Sequence, residues 1–156
     1  MRHGIAVPDS SDNPLDPPLT QEGEQLIRQE ARGLASLGLR IDAIAASPMR
    51  RAHRTAEIIA ETLGLSGGPL AADSLSPGCS LASLVTLGGF LEKAHGALLV
   101  GHHPDLGNIA GALMGASQGL SLSRGGLCVL EVAGWPPQPP ARLVMKLPPQ
   151  VLAGLA

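Results

Sequence analysis

Aromatic side chains are nearly absent from this sequence: one Phe, one Trp and no Tyr in 156 residues. Phe90 and Trp135 cannot form a base-stacking platform or an aromatic carbohydrate clamp. Charge is scarce too. Charged residues make up 15% of the chain and the formal net charge is −2, which argues against the basic excess of a general nucleic-acid binder. No uninterrupted apolar run of about 18 residues occurs, so no membrane-spanning helix is expected. The amino terminus carries no apolar signal-peptide core, and a cytoplasmic protein is the expectation. The two cysteines, Cys79 and Cys128, stand in no CxxC or other close metal-ligand spacing. They read as free thiols of a reducing compartment. A P-loop, a GxGxxG turn and a carboxylate cluster suited to Mg²⁺ are all missing, so neither a cofactor nor a metal is expected.

What is plentiful is aliphatic. Hydrophobic residues are 44% of the chain, enough for one core in a single domain spanning 1–156. A Pro/Asp/Ser-rich loop over 7–19 cannot sustain a helix or central strand. Thr20 then caps a helix whose first turn holds Glu22 and Glu24, with Gly38 as its stop. Residues 41–46 read as a buried strand ended by Ser47-Pro48, and a second helix runs to Gly64. A short strand near Leu70–Ala72 and a third helix capped by Ser80, running through Leu81, Leu84, Val85 and Leu91, follow. Ala97–Gly101 is a buried strand, and Pro104 opens a fourth helix to about Gly115. Leu127–Val132 and Arg142–Leu147 read as strands joined by a proline-rich turn. Pro148–Ala156 reads as either a short helix or a frayed tail. Strands alternating with helices imply a largely parallel sheet covered on both faces, with ligands at the carboxyl ends of its strands.

Three clusters fall at such ends: Arg2-His3-Gly4, the helix start carrying Arg50, Arg51, His53 and Arg54, and His102-His103-Pro104. Singly each has an ordinary explanation. A terminal Arg-His pair is commonly a solvated tail, arginines on a helix a basic face, and paired histidines a metal site or a helix start. Together they offer guanidinium forks, imidazoles and helix amino termini where a pocket should lie, which is what phosphate binding requires. A metal site of His3, His102 and His103 is disfavoured, because Asp105, the one carboxylate near it in sequence, better serves the first turn of the fourth helix.

The RHG start, the Pro18-Leu19-Thr20 element with Gly23, the SPMRRAHRTA segment and the GHHP segment resemble, in order and rough spacing, the histidine phosphatase (phosphoglycerate-mutase-like) superfamily. Within it the chain is similar to the small SixA-type phosphohistidine phosphatases. The resemblance implies a three-layer α/β/α fold with a mostly parallel sheet, and spans Arg2 to about Gly111. It makes His3 the nucleophile, with Arg2, Arg51 and His102 neutralising the phosphoryl oxygens and Gly4 and His103 lining the substrate site. The expected function is removal of phosphate from a phosphohistidine on a partner, such as a phosphotransfer domain or a phosphotransferase-system carrier, by a monomeric enzyme. The alternatives are a small-molecule phosphomonoesterase or pyrophosphatase on the same site, and a non-catalytic phosphate-binding module.

The chain departs from the pattern in four places. The strand the family carries ahead of RHG would precede Met1, and the expectation is a true start lying upstream. Arg54 stands where the family often has Gln. The stretch Leu75–Leu84 contains no carboxylate to act as general acid, as in the SixA type; a phosphoramidate leaving group can carry its own proton. His103 stands where acid phosphatases of the superfamily carry Asp, and is offered either for protonation or for packing and capping.

Overall fold

The computed structural model describes residues 1–8 and 13–156. Four positions of the 7–19 loop, 9–12, lie outside the described residues. The rest of that loop is closed by a bridge from Ala6 to Leu19 and a Val7 N–H bond to the Pro18 carbonyl.

Among the described residues, five strands and five α-helices follow: α1 (Gln21–Ser36), β1 (Ala43–Ala46), α2 (Arg50–Leu63), β2 (Leu70–Ala71), α3 (Gly88–Leu91), β3 (Ala97–Val100), α4 (Asp105–Leu113), β4 (Leu127–Glu131), β5 (Arg142–Leu147) and α5 (Pro149–Ala153). Parallel strands run in the order β2-β1-β3, and β4 and β5 form an antiparallel hairpin. Alternation along each strand sends side chains to two cores. Ile44, Ala46, Leu98, Val100 and Leu127 pack with α1, α2 and Leu152 of α5. Ala45, with the partly buried Leu99, Cys128 and Leu130, packs on the other face with Leu75, Leu84, Leu106 and Ile109. The result is a sheet between two helical layers, the α/β/α arrangement expected.

The local rules explain the helix ends. Thr20 accepts a 2.8 Å bond from the Gly23 N–H, capping α1. Gly64 closes α2 in the left-handed conformation, at φ 69°. One element differs from expectation. Residues 81–87 form a 3-10 helix, and only Gly88–Leu91 complete an α turn. Gly88-Gly89 and the Ser/Thr content give that segment too little helix propensity. The carboxyl-terminal stretch resolves as a helix, since α5 packs its fully buried Leu152 against α1. Gly33 permits this approach, because a Cβ there would collide with the Leu152 carbonyl.

Met1–His3 joins the two sheets. On one side Met1 and His3 bond β3 and its continuation, through the Leu99 carbonyl and both backbone groups of Gly101. On the other, Arg2 bonds Gly126 and accepts from Gly125, at the entrance to β4. The chain therefore supplies His3 with a sheet position of its own. A cavity of about 690 Å³ is lined by Met1, β3, β4, Leu34 of α1 and Ile109 of α4. No helix among the described residues is long and apolar enough to cross a membrane.

Candidate active site

His3 leaves the sheet at the carboxyl end of the Met1–His3 segment and is 8% exposed. Its Nδ1 lies 2.8 Å from the Gly4 carbonyl. A carbonyl only accepts, so Nδ1 carries the proton and Nε2 keeps its lone pair. The Nε of Arg51 donates to that lone pair at 3.4 Å. Burial is the main reason the ring's pKa falls to about 4. The Gly4 bond opposes the fall, and the charges on Arg51, His102 and Arg2 reinforce it. His3 is therefore neutral at physiological pH, with a free nitrogen facing cations.

Arg51 lies in the first turn of α2, which begins directly behind β1. His102 follows β3, the strand beside β1. The two rings of His3 and His102 stand 5.3 Å apart, tilted by 57°. Arg51 Nη2 reaches His102 Nδ1 at 3.5 Å, and His102 Nε2 pairs with the Ser47 hydroxyl at 2.9 Å. The Arg51 contact assigns the Nδ1 lone pair, so His102 donates from Nε2 to Ser47. Burial and Arg51 lower the His102 pKa to about 4, against the opposing charges of Asp105 and Asp16. Arg2 donates from Nη1 to the Leu122 carbonyl at 2.9 Å. Its Nε and the Nη1 of Arg51 are buried without a hydrogen-bond partner among the described residues. Buried cationic N–H groups of that kind favour an anion.

Three contributing residues escaped the sequence. Thr55 is fully buried on α2, donates to the Arg51 carbonyl at 2.7 Å and accepts from the Gly4 N–H at 3.1 Å. It locks the His3 turn onto the first turn of α2. Ser47, read at the strand end and in the SPMRRAHRTA segment but given no role of its own, orients His102. Asp16 places Oδ1 3.6 Å from Arg51 Nη1 and 2.8 Å from the Arg50 N–H. The TA that follows the arginine cluster was the only trace of Thr55 in the sequence. Asp16 sits 34 residues from Arg50 and gave no local signal.

Other expectations change. Gly4 was placed in the substrate site, but its N–H is spent on Thr55. Its role is close packing, since a Cβ there would lie 2.8 Å from Ile27 Cγ1. His103 is exposed and makes no hydrogen bond to the described residues. Arg54, read as a solvated face, ties α2 to α1 by bonding Glu24 at 3.0 Å and Glu57 and Glu61 on its own helix. Arg50 is exposed, as that reading holds. Asp105 accepts from the Gly78 N–H at 2.8 Å in the first turn of α4. Among the described residues no three His, Cys, Asp or Glu side chains are placed to hold a metal, so His3, His102 and His103 form no such group.

A neutral imidazole whose unprotonated nitrogen meets only the long Arg51 contact, ringed by two guanidiniums and a second imidazole at strand ends, is equipped for phosphoryl transfer. Comparison with known proteins agrees. Residues 1–72 match the model of the histidine phosphatase superfamily (branch 1). Over 140 residues the chain is 39% identical to an uncharacterized protein of Picosynechococcus sp., covering 84% of this chain and 82% of that one. Among solved structures it is similar to the protein histidine phosphatase SixA complexed with tungstate, at 21% identity and a TM-score of 0.84, covering 97% of this chain and 96% of that one. It is also similar to a phosphoserine phosphatase mutant from Entamoeba histolytica, at 15% identity and a TM-score of 0.66, covering 96% and 95%. The chain belongs to the histidine phosphatase superfamily and is, in class, a phosphatase.

Proposed function

We propose that the enzyme removes phosphate from a phosphohistidine on a partner protein through a phosphorylated His3. The observation that carries this reading is the state of His3: Nδ1 committed to Gly4, Nε2 unprotonated and met by the Arg51 Nε–H at 3.4 Å. His3 Nε2 attacks phosphorus, and the P–N bond to the partner's imidazole breaks. When the other nitrogen of the partner's ring is already protonated, the imidazole leaves neutral and needs no further proton; otherwise it takes one from water. Water then attacks phospho-His3, releasing inorganic phosphate and restoring the neutral ring. Arg2, Arg51 and His102 stabilise the charge on the equatorial oxygens, and loss of one such group costs about 3 kcal/mol of barrier. Among the described residues no carboxyl group is hydrogen-bonded to His3 or His102; Asp105 and Asp16 act on His102 only by their charge. That suits a phosphoramidate, whose leaving group needs no enzymic acid. His103, exposed beside His102, is assigned to the rim that meets the partner. The enzyme is taken to be a one-domain cytoplasmic monomer acting on a phosphotransfer domain or a phosphotransferase-system carrier.

The test is incubation with a phosphohistidine protein and with p-nitrophenyl phosphate. Faster release from the protein, with a phosphoenzyme that His3→Ala abolishes, is the expected result. Preference for the monoester moves the assignment to a small-molecule phosphatase. Absence of any phosphoenzyme leaves a phosphate-binding module.

A further inference from the structure

Arg51 reaches each of the other ionisable groups around it through a different nitrogen: His3 from Nε at 3.4 Å, His102 from Nη2 at 3.5 Å and Asp16 from Nη1 at 3.6 Å. All three separations lie at or beyond the long end of hydrogen bonding, so no partner holds the guanidinium firmly. Asp16 itself is well anchored. Its Oδ1 takes the Arg50 N–H at 2.8 Å, at the start of α2, where the Met49 side chain supplies no cap. The Arg51 and Asp16 side chains are 14% and 25% exposed, so solvent screens their attraction only in part. A carboxylate and a phosphoryl group present similar oxygen pairs to a guanidinium fork and compete for it.

We propose that Asp16 is a positioning residue for phosphate turnover: an internal counter-anion that holds Arg51 while the site is empty, yields it to the phosphoryl group, and reclaims it as phosphate leaves. The proposal rests on Arg51 being a phosphate clamp. Asp16 thereby weakens the grip on the product and hastens its release. Its second bond, to Arg50, keeps it in place while Arg51 is engaged elsewhere.

The experiment is calorimetric titration of inorganic phosphate into the wild type, Asp16→Asn and Arg51→Ala, with product-inhibition kinetics alongside. Asn keeps a side-chain oxygen for the Arg50 N–H and removes only the charge. Asp16→Asn is expected to bind phosphate about three- to fivefold more tightly, with the phosphate inhibition constant falling in parallel and kcat no higher. A merely structural cap gives the opposite or no effect, so unchanged or weaker binding overturns the proposal. If Asp16→Asn does not fold, Asp16→Ser carries the same expectation and the same refutation. Wild-type phosphate affinity in Arg51→Ala overturns the clamp reading and the proposal with it. Lost affinity there with no tightening in Asp16→Asn overturns the proposal alone.

Discussion

A single carbonyl decides the chemistry of His3. Because Gly4 takes the Nδ1 proton, the nucleophilic nitrogen is fixed without a carboxylate partner. With both His3 and His102 lowered to about 4, the free enzyme keeps its neutral nucleophile well below pH 6.5. A profile of kcat/KM against pH, taken with a monoester substrate, should hold to about pH 5 and fall on an acid limb near pH 4. A limb near pH 6.5 would contradict the buried environment. Glu30 carries the opposite sign. It is fully buried beside Gly125, has no hydrogen-bond partner among the described residues, and burial pushes its pKa up from 4.5 to about 8. Between those values the folded protein keeps a proton that the unfolded chain has lost, so this group's contribution to stability falls as pH rises through the window. Glu30→Gln keeps the shape without the proton. Its gain over the wild type in urea unfolding should grow from under about 1 kcal/mol at pH 5 to a few kcal/mol at pH 8. Equal midpoints at both values would show that Glu30 is charged or solvated. Arg2, His3, Arg51 and His102 were legible in the sequence because they fall in short motifs, Arg2-His3-Gly4, Ser47-Pro48 with Arg51, and His102-His103-Pro104, that share one recognisable order. Thr55, Asp16 and Glu30 were not, because their meaning lies in contacts that only the fold creates.

At the scale of elements, α1 was readable from its Thr20 cap, acidic first turn and glycine stop, and α2 from its apolar face and the stop at Gly64, all local devices. The 3-10 segment over 81–87 was not, because its apolar spacing is helical while its composition is a poor helix former. The α5 helix was left open because its stability comes from α1, more than a hundred residues away in sequence. That contact yields a sharp prediction. Gly33→Ala sets a methyl group against the Leu152 carbonyl. It should lower stability by about 1–3 kcal/mol, seen as a drop in the thermal midpoint. An unchanged midpoint would mean that α5 can ride outward freely.

At the scale of the molecule, the two sheets meet at Met1–His3. The alternation of strands and helices announced the layers, but not that the two sheets are joined through the segment that carries His3.

His3, Arg51 and His102 stand at or just past the ends of three neighbouring extended segments: Met1–His3, β1 and β3. The lateral spacing of about 4.8 Å between strands is therefore the ruler by which the pocket is measured. Peptide hydrogen bonds set that ruler and side chains do not, so core residues can be exchanged wholesale while the gauge stays true. The fold shared at a TM-score of 0.84 with a protein only 21% identical is what such a tolerance leaves behind.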